Sequence, residues 1–161
     1  MDVSWAAGPE RQSTSGGTVS WLGYQLQARC RTQQTVAQSS AEAELVAMNL
    51  GVGEALFVAH LLQELEKEAS VVVSSDSRAA IGICSRIGVG RVKQLTVKQL
   101  FLQDEVRSGR TQVRKIDGDT DLADLLIEVV SADRLRMLTS LVDIREFEVA
   151  ESEAERLQLD V

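Results

Sequence analysis

SSAEAEL, residues 39–45, places two glutamates directly after two serines, at the point where an apolar helical pattern begins. Apolar residues then recur at steps of three and four as far as about Lys67, which predicts a long amphipathic helix. Ser39 and Glu42 have the S-x-x-E spacing of a capping box. We therefore assign Glu42 to the start of the helix, and Glu44 is free to face another part of the molecule.

The chain on either side of this helix divides into short strands and further helices. Alternating or β-branched runs predict strands, and a period of three to four predicts helices. With Met1–Trp5 as the end of a first strand, the predicted order is β-β-β-α-β-α-α-β-α, an α/β layout with a mixed sheet and flanking helices. The predicted strands lie in 18–31 (two strands with a turn at Gly23), 70–76 and 110–116, and the other predicted helices lie in 77–88, 92–109 and 117–130.

Composition and charge favour one globular domain. The 161 residues are 44% apolar and 25% charged, which is enough apolar material for a core. The net charge of −7 argues weakly against a strong nucleic-acid binder, and it suits a site that concentrates divalent cations equally well. No secretory signal opens the sequence, and no apolar run approaches the roughly 20 residues of a membrane span, so we expect no membrane partner.

The two cysteines, Cys30 and Cys84, do not have the spacing of a metal site. We expect both to be buried thiols of a protein in a reducing, intracellular compartment. The sequence does not distinguish cytoplasm from nucleus.

Four carboxylates fall at strand ends and helix starts of this layout. Asp2 lies at the end of the first strand, and Glu44 lies in the first turn or so of the long helix. Asp76 ends the buried strand, and Asp124 lies in the first turns of the last helix. Because such ends gather at one edge of an α/β sheet, where ligands commonly bind, we expect the four side chains to lie together.

Four carboxylates held together repel one another unless they keep a proton or bind cations. Mg²⁺ prefers oxygen ligands, and two such ions roughly 3.5–4 Å apart can activate water and stabilise a leaving oxygen in phosphodiester hydrolysis. The constellation therefore fits a metal-dependent nuclease. The alternative for each acid is a solvated surface charge or a helix cap, since the chain holds 24 acidic residues.

Five motifs in register resemble the ribonuclease H domain of copia-type retrotransposon polyproteins. That family reads approximately D-A-D-W-A-G, R-S-T-S-G, S-S-x-E-A-E-Y, C-D-N-Q-S-A-I and Q-L-A-D-I-L-T-K. The corresponding segments here are MDVSWAAG (1–8), RQSTSGG (11–17), SSAEAEL (39–45), SDSRAAI (75–81) and DLADLLIE (121–128). The resemblance covers roughly residues 1–130.

The resemblance implies a ribonuclease H-like fold, with a five-stranded mixed sheet flanked by helices. It also implies cleavage of the RNA strand of RNA–DNA hybrids with two Mg²⁺ or Mn²⁺ ions, in a domain that can follow a reverse transcriptase domain. The four metal-binding acids of the family fall on Asp2, Glu44, Asp76 and Asp124. Residues 131–161 lie beyond this domain, and we expect an extra helix and an acidic, flexible tail there.

Several departures from the family pattern favour an alternative function. Ser4 stands where the family has a second aspartate, and the two histidines of the family are absent from KQLT (93–96) and LF (100–101). The first strand has only one residue ahead of Asp2, and the single histidine, His60, lies four turns from Glu44 and is expected to be structural or at the surface. The alternative is a catalytically silent ribonuclease H-like fragment that acts as a binding or interaction module.

Overall fold

The structure, a computed structural model, describes residues 1–8, 10–86 and 97–142, with the backbone alone at 97–99. These residues form five strands and five α-helices, with a 3-10 turn at Gly118–Thr120, in the order predicted from the sequence. In chain order the elements are β1 (Asp2–Ser4), β2 (Thr14–Trp21), β3 (Tyr24–Thr32), α1 (Ser40–Glu64), β4 (Val71–Ser75), α2 (Arg78–Cys84), α3 (Val97–Arg107), β5 (Thr111–Lys115), α4 (Asp124–Ile127) and α5 (Ala132–Ser140).

The segment after residue 130 is described only in part. Helix α5 corresponds to the extra helix expected there. The acidic tail expected at its end lies outside the described residues from 143 onwards, as does KQLT at 93–96.

The five strands form two sheets, which differs from the single five-stranded sheet that the resemblance implies. Strands β1, β2 and β3 are antiparallel neighbours, and β4 pairs with β5 in parallel. The N-terminal ammonium of Met1 donates a hydrogen bond to the carbonyl oxygen of Ser74 (2.9 Å), which links β1 to β4. Apart from this hydrogen bond, no ladder joins β1 to β4 within the described residues, so the two sheets are separate there.

The turn between β2 and β3 is a tight hairpin, as the position of Gly23 predicts. Leu22 and Gly23 both have positive φ angles, of 52° and 85°. Two consecutive residues in this region are typical of the type I′ turn, whose twist matches that of the flanking strands. The hairpin continues into eight paired positions with one bulge, between Val19 and Ser20.

Helix α1 supplies much of the core. Leu45, Met48 and Val52 are fully buried in one apolar cluster with residues of β4, α2 and α3. A smaller cluster of Val3, Ala37, Ala43 and Ala47 lies beneath β1. The N-terminal half of α1 is therefore fixed on two sides, and this fixes the position of Glu44 on it. The members of the larger cluster from the other elements are Val71, Val73, Ala80, Ile83, Cys84 and Leu102.

By length and composition alone, α1 is apolar enough to cross a membrane, which corrects the expectation that no run approaches that length. The core helix of a soluble protein passes the same test, so one such helix is weak evidence for a membrane. In the described fold the first half of α1 packs into the core, while Phe57 and Leu61 in the second half are exposed.

The expectation of two buried thiols is half right. Cys84, the last residue of α2, is buried in the core, and burial raises the pKa of its thiol to about 12. Cys30 is exposed, because it lies near the end of β3, which is the edge strand of its sheet and has little packed on either face.

Candidate metal centre

Three of the four predicted acids meet at one point between the two sheets. Asp2 is the first residue of β1, Glu44 lies in the second turn of α1, and Asp76 directly follows β4. Each offers a carboxylate oxygen, and these three oxygens lie within 4.8 Å of one another. Strand and helix ends thus bring together side chains that are 74 positions apart in the sequence.

The fourth predicted acid, Asp124, joins the cluster through Asp2. It is the first residue of α4 and is buried, and its carboxyl group shares a hydrogen bond with that of Asp2. It does not belong to the three-oxygen group. The four predicted residues are therefore neighbours, with Asp2 as the one that contacts the acids on both sides.

Glu44 is held where its ionised form is disfavoured. Its side chain is buried, and its Oε2 atom has no hydrogen-bond partner within the described chain. Burial is the main cause that raises the pKa of Glu44 to about 9, and the nearby charges of Asp2 and Asp76 raise it further.

The pKa values of the other two shifted acids are also raised. Burial raises the pKa of Asp76, with further contributions from Asp2 and Asp121, while the Lys115 ammonium opposes the shift. Burial and the hydrogen bond to Asp2 raise the pKa of Asp124 to about 7, against the effect of the Arg134 guanidinium. Without cations, the cluster therefore retains protons at neutral pH.

The two glutamates at the start of α1 have different roles, as the sequence predicts. The hydroxyl of Ser39 accepts a hydrogen bond from the backbone N–H of Glu42 (3.2 Å). The carboxylate of Glu42 accepts one from the backbone N–H of Gln38 (2.9 Å). Glu42 thus caps the helix, and Glu44 faces the acidic cluster.

Buried Gln33 ties this helix start to the first sheet. Its side-chain amide donates to the hydroxyl of Ser15 (2.8 Å) and to the carbonyl oxygen of Ala43 (2.9 Å). Since Ala43 precedes Glu44, these two bonds fix the position of Glu44 relative to β2.

Gly16 permits the close approach of α4 to β2. A Cβ atom at this position would lie 2.6 Å from Cγ2 of Ile127 and 3.0 Å from the carbonyl oxygen of Ala123. Gly16 also pairs with Asp2 across the sheet. A residue without a side chain is therefore needed for Asp2 and Asp124 to be neighbours.

Two charged residues of the site were not identified from the sequence. Asp121 is buried, accepts a hydrogen bond from the backbone N–H of Ala123 (2.9 Å) and lies 3.7 Å from the Met1 ammonium. Arg134 of α5 forms an ion pair with Asp124 and donates to the carbonyl oxygen of Gly118 (2.8 Å). Asp121 lies within the quoted DLADLLIE motif, but no pattern in the sequence connects Arg134 to the acids.

Two sequence predictions concern residues further from the cluster. His60 is exposed in the second half of α1, as expected for a surface position. The segment KQLT (93–96), in which one histidine of the family is missing, lies outside the described residues, so its relation to the acids stays a prediction.

The donor set suits a hard divalent cation. It consists of carboxylate oxygens, one of them buried without a partner, and it contains no nitrogen or sulfur ligand among the described residues. A cation would replace the protons that the cluster otherwise retains and would satisfy the unpaired Oε2 of Glu44. The residues present therefore fit Mg²⁺ or Mn²⁺.

The fold and the site together define the class of protein: a mixed α/β domain with an acidic cluster between its sheets. No protein-family model matches the chain, and no solved structure matches it. Relatives among curated proteins include retrovirus-related Pol polyproteins of plant copia-type transposons, at modest identity.

Two relatives illustrate the similarity. The chain is 29% identical over 130 residues to the retrovirus-related Pol polyprotein from transposon TNT 1-94 of Nicotiana tabacum, a match that covers 80% of this chain and 9% of that protein. It is 24% identical over 147 residues to the one from transposon RE1 of Arabidopsis thaliana, which covers 89% of this chain and 10% of that protein. The chain thus spans about a tenth of the length of these relatives and is similar to one stretch of them.

Proposed function

We propose that this chain is a metal-dependent nuclease domain of the ribonuclease H type, which hydrolyses the RNA strand of RNA–DNA hybrids. The observation that carries the proposal is the group of Asp2, Glu44 and Asp76, whose oxygens lie within 4.8 Å of one another, with Asp124 beside them. The order of strands and helices, the five motifs and the similarity to Pol polyproteins support it.

The four acids would hold two Mg²⁺ or Mn²⁺ ions. Bound ions would supply an activated water and positive charge to stabilise the leaving oxygen. Asp2 contacts Glu44 on one side and Asp124 on the other, so it is central among the four residues that would hold the ions. Glu44 would lose its proton on binding, so cation affinity should increase with pH up to about 9.

The substrate would be an RNA–DNA hybrid bound across the acidic cluster. Distinguishing RNA from DNA requires contacts to 2′-hydroxyl groups across the minor groove. Because the chain has a net charge of −7, approach of the phosphate backbone should depend on bound cations at the site.

The test is hybrid cleavage by the Asp76→Asn variant. Loss of one carboxylate from the three-oxygen group should reduce the rate on the order of 100-fold or more, because each ion supplies several kcal/mol of charge stabilisation. Asp104→Asn is the matched control, since Asp104 is an exposed acid paired with Arg107 on α3. Equal cleavage by wild type and Asp76→Asn would contradict the proposal.

The second candidate is a catalytically silent domain that keeps this fold as a binding or interaction module. The Arg134–Asp124 ion pair favours it, because the guanidinium already neutralises one of the four acids. This candidate predicts a folded wild-type protein without cleavage at any concentration of Mg²⁺ or Mn²⁺.

A further inference from the structure

We propose that the free edge of β3 is a docking surface for residues 145–149 of the same chain. This segment, REFEV, lies outside the described residues and is separated from them by two positions. It would add to β3 as one more strand. The inference rests on the geometry of the first sheet and is independent of the proposed nuclease activity.

The edge of β3 that faces away from β2 has no partner strand within the described parts of the chain. Gln33, directly after β3, donates its backbone N–H to the carbonyl oxygen of Ser13 on the β2 side (2.7 Å). Because this direction alternates along a strand, Ala28, Cys30 and Thr32 direct their backbone N–H and C=O groups away from β2. Such a row of backbone groups is a template for strand addition.

The two faces of this edge differ in charge. Arg29 donates a hydrogen bond to a carboxylate oxygen of Glu54 on α1 (2.6 Å), and Arg31 lines the same small cavity, so both arginines lie on the α1 side of β3. Both are exposed. Ala28 and Cys30 alternate with them, so they face the opposite side, where both are exposed and uncharged. A strand that complements this edge carries acidic side chains on one face and apolar side chains on the other.

Residues 145–149 have this alternation. Glu146 and Glu148 alternate with Phe147 and Val149, which is the period-two pattern of a strand. Phenylalanine and valine also favour strands. With the two glutamates beside the arginines of β3, the two apolar side chains cover the uncharged face. Opposite charges on neighbouring strands stabilise such a pair.

The last described residue before this segment lies beside β3. Val142 lines a groove of about 670 Å³ together with residues 22–28 of the hairpin. Leu22, Tyr24 and Leu26 are exposed there. Two further residues, at about 3.3 Å each, bring the chain to position 145. A segment that runs parallel to β3 from this point reaches residues 28–32 without a long connection.

The short connection favours the same chain over a second copy as the source of the strand. A short tether holds a segment at a local concentration of about the millimolar range. A second copy would have to supply its own segment from solution. We therefore expect docking within one molecule at micromolar protein concentration.

The first test measures the rate at which Cys30 of the full chain reacts with iodoacetamide. A docked Phe147 shields Cys30, and Cys84 is buried, so the wild-type protein should react slowly. Phe147→Ser should raise the rate about tenfold, because shielding depends on the free energy of local opening. Leu157→Ser, later in the same tail, is the matched control and should leave the rate unchanged. Equal rates for wild type and Phe147→Ser would overturn the proposal.

A charge reversal tests the pairing of glutamates with arginines. Arg31→Glu should release the segment and raise the rate of Cys30 alkylation, whereas Arg11→Glu, an exposed arginine outside the sheet, should not. Adding Glu146→Arg and Glu148→Arg to Arg31→Glu should restore slow alkylation, because opposite charges again face each other. A triple variant that reacts as fast as Arg31→Glu would contradict the proposal.

Hydrogen exchange of backbone amides provides a readout that does not depend on thiol chemistry. The amides of Ala28, Cys30 and Thr32 should be protected in the wild type and exchange about tenfold faster in Phe147→Ser. Circular dichroism checks that each variant folds. Protection that increases with protein concentration, together with a dimer in sedimentation, would identify a second copy as the source of the strand and overturn the proposal.

Discussion

Glu44 is the residue on which the electrostatics of the site depend most. Its carboxyl group is buried, one of its oxygens is unpaired, and two further acids lie against it. A buried group that prefers its protonated form costs stability when it ionises. Such an arrangement is typical of a functional site rather than of a structural one.

The first residue-scale prediction is a pH dependence of stability in the absence of divalent cations. The pKa of Glu44 is about 9 in the folded protein and has an ordinary value of 4.5, so the folded state keeps a proton that the unfolded state loses. The contribution of Glu44 to stability should therefore be fully present below pH 4.5 and be lost as the pH rises to about 9. Thermal melts in EDTA from pH 5 to 9 measure this slope.

The Glu44→Gln variant should have a shallower slope and a higher melting temperature at pH 8. A gain on the order of 1 kcal/mol would raise the melting temperature by about 2–4 °C for a chain of this size. Glu64→Gln is the control, because Glu64 is exposed at the end of the same helix. If the stability of Glu44→Gln depended on pH as steeply as that of the wild type, Glu44 would not be the cause of the effect.

The second residue-scale prediction concerns Arg134. Its guanidinium pairs with Asp124 and would repel a cation bound beside it. Arg134→Met should therefore bind Mn²⁺ about tenfold more tightly at pH 8, by the Coulomb energy of one charge near a divalent ion. Calorimetric titration measures the affinity.

Arg136→Met serves as the matched control for Arg134→Met. Arg136 lies on the same helix and pairs with the exposed Asp133. Unchanged or weaker Mn²⁺ binding by Arg134→Met would contradict the role assigned to this residue.

Part of the site could be predicted from residue types alone. Asp2, Glu44, Asp76 and Asp124 are acids at strand ends and helix starts, and the α/β layout predicts that such ends meet. Asp121 and Arg134 were missed because their positions depend on how the turn at 118–120 and α5 pack, which no local pattern encodes. The catalytic role of the four acids stays a prediction.

At the scale of elements, the contact between β2 and α4 sets the distance between Asp2 and Asp124. Gly16 lies directly beneath Ile127 and the start of α4, and it pairs with Asp2. The sequence shows this glycine within QSTSGG, but only the packed structure shows that a side chain there has no space.

The element-scale prediction compares two glycine-to-alanine substitutions. Gly16→Ala should destabilise the fold by about 1–3 kcal/mol, because α4 must move away from β2. Gly53→Ala should stabilise it by about 0.5–1 kcal/mol, because a Cβ atom there meets nothing within 4 Å and alanine favours the helix. Urea denaturation measures the free energy of unfolding of both variants. If the two variants were equally stable, the close approach of α4 to β2 would be contradicted.

Element boundaries follow the sequence where the local signal is strong. The cap at Ser39, the turn at Gly23 and the β-branched run of β4 all lie where the sequence predicts them. The predicted helix over 117–130 is instead a 3-10 turn followed by the short helix α4. The side chain of Asp117 caps the turn, and that of Asp121 accepts a hydrogen bond from the backbone N–H of Ala123 just before α4. These two local side-chain bonds divide what the periodicity predicts as one helix.

At the scale of the whole molecule, the two sheets and α1 enclose the acidic cluster at their junction. The α/β class and the order of elements could be predicted because each element has its own period. The division into three and two strands could not, because it depends on how far β1 extends beside β4, and that pairing joins residues 73 positions apart.

The central claim is that crowded carboxylates in this fold form a cation site, and a melting experiment with Mn²⁺ tests it most directly. At a concentration 100 times the dissociation constant, binding should add about 2.7 kcal/mol of stability. The melting temperature of the wild-type protein at pH 8 should then rise by about 5–10 °C, with a much smaller rise for Asp76→Asn. A melting temperature that Mn²⁺ and Mg²⁺ leave unchanged, or an equal rise in both proteins, would contradict the account.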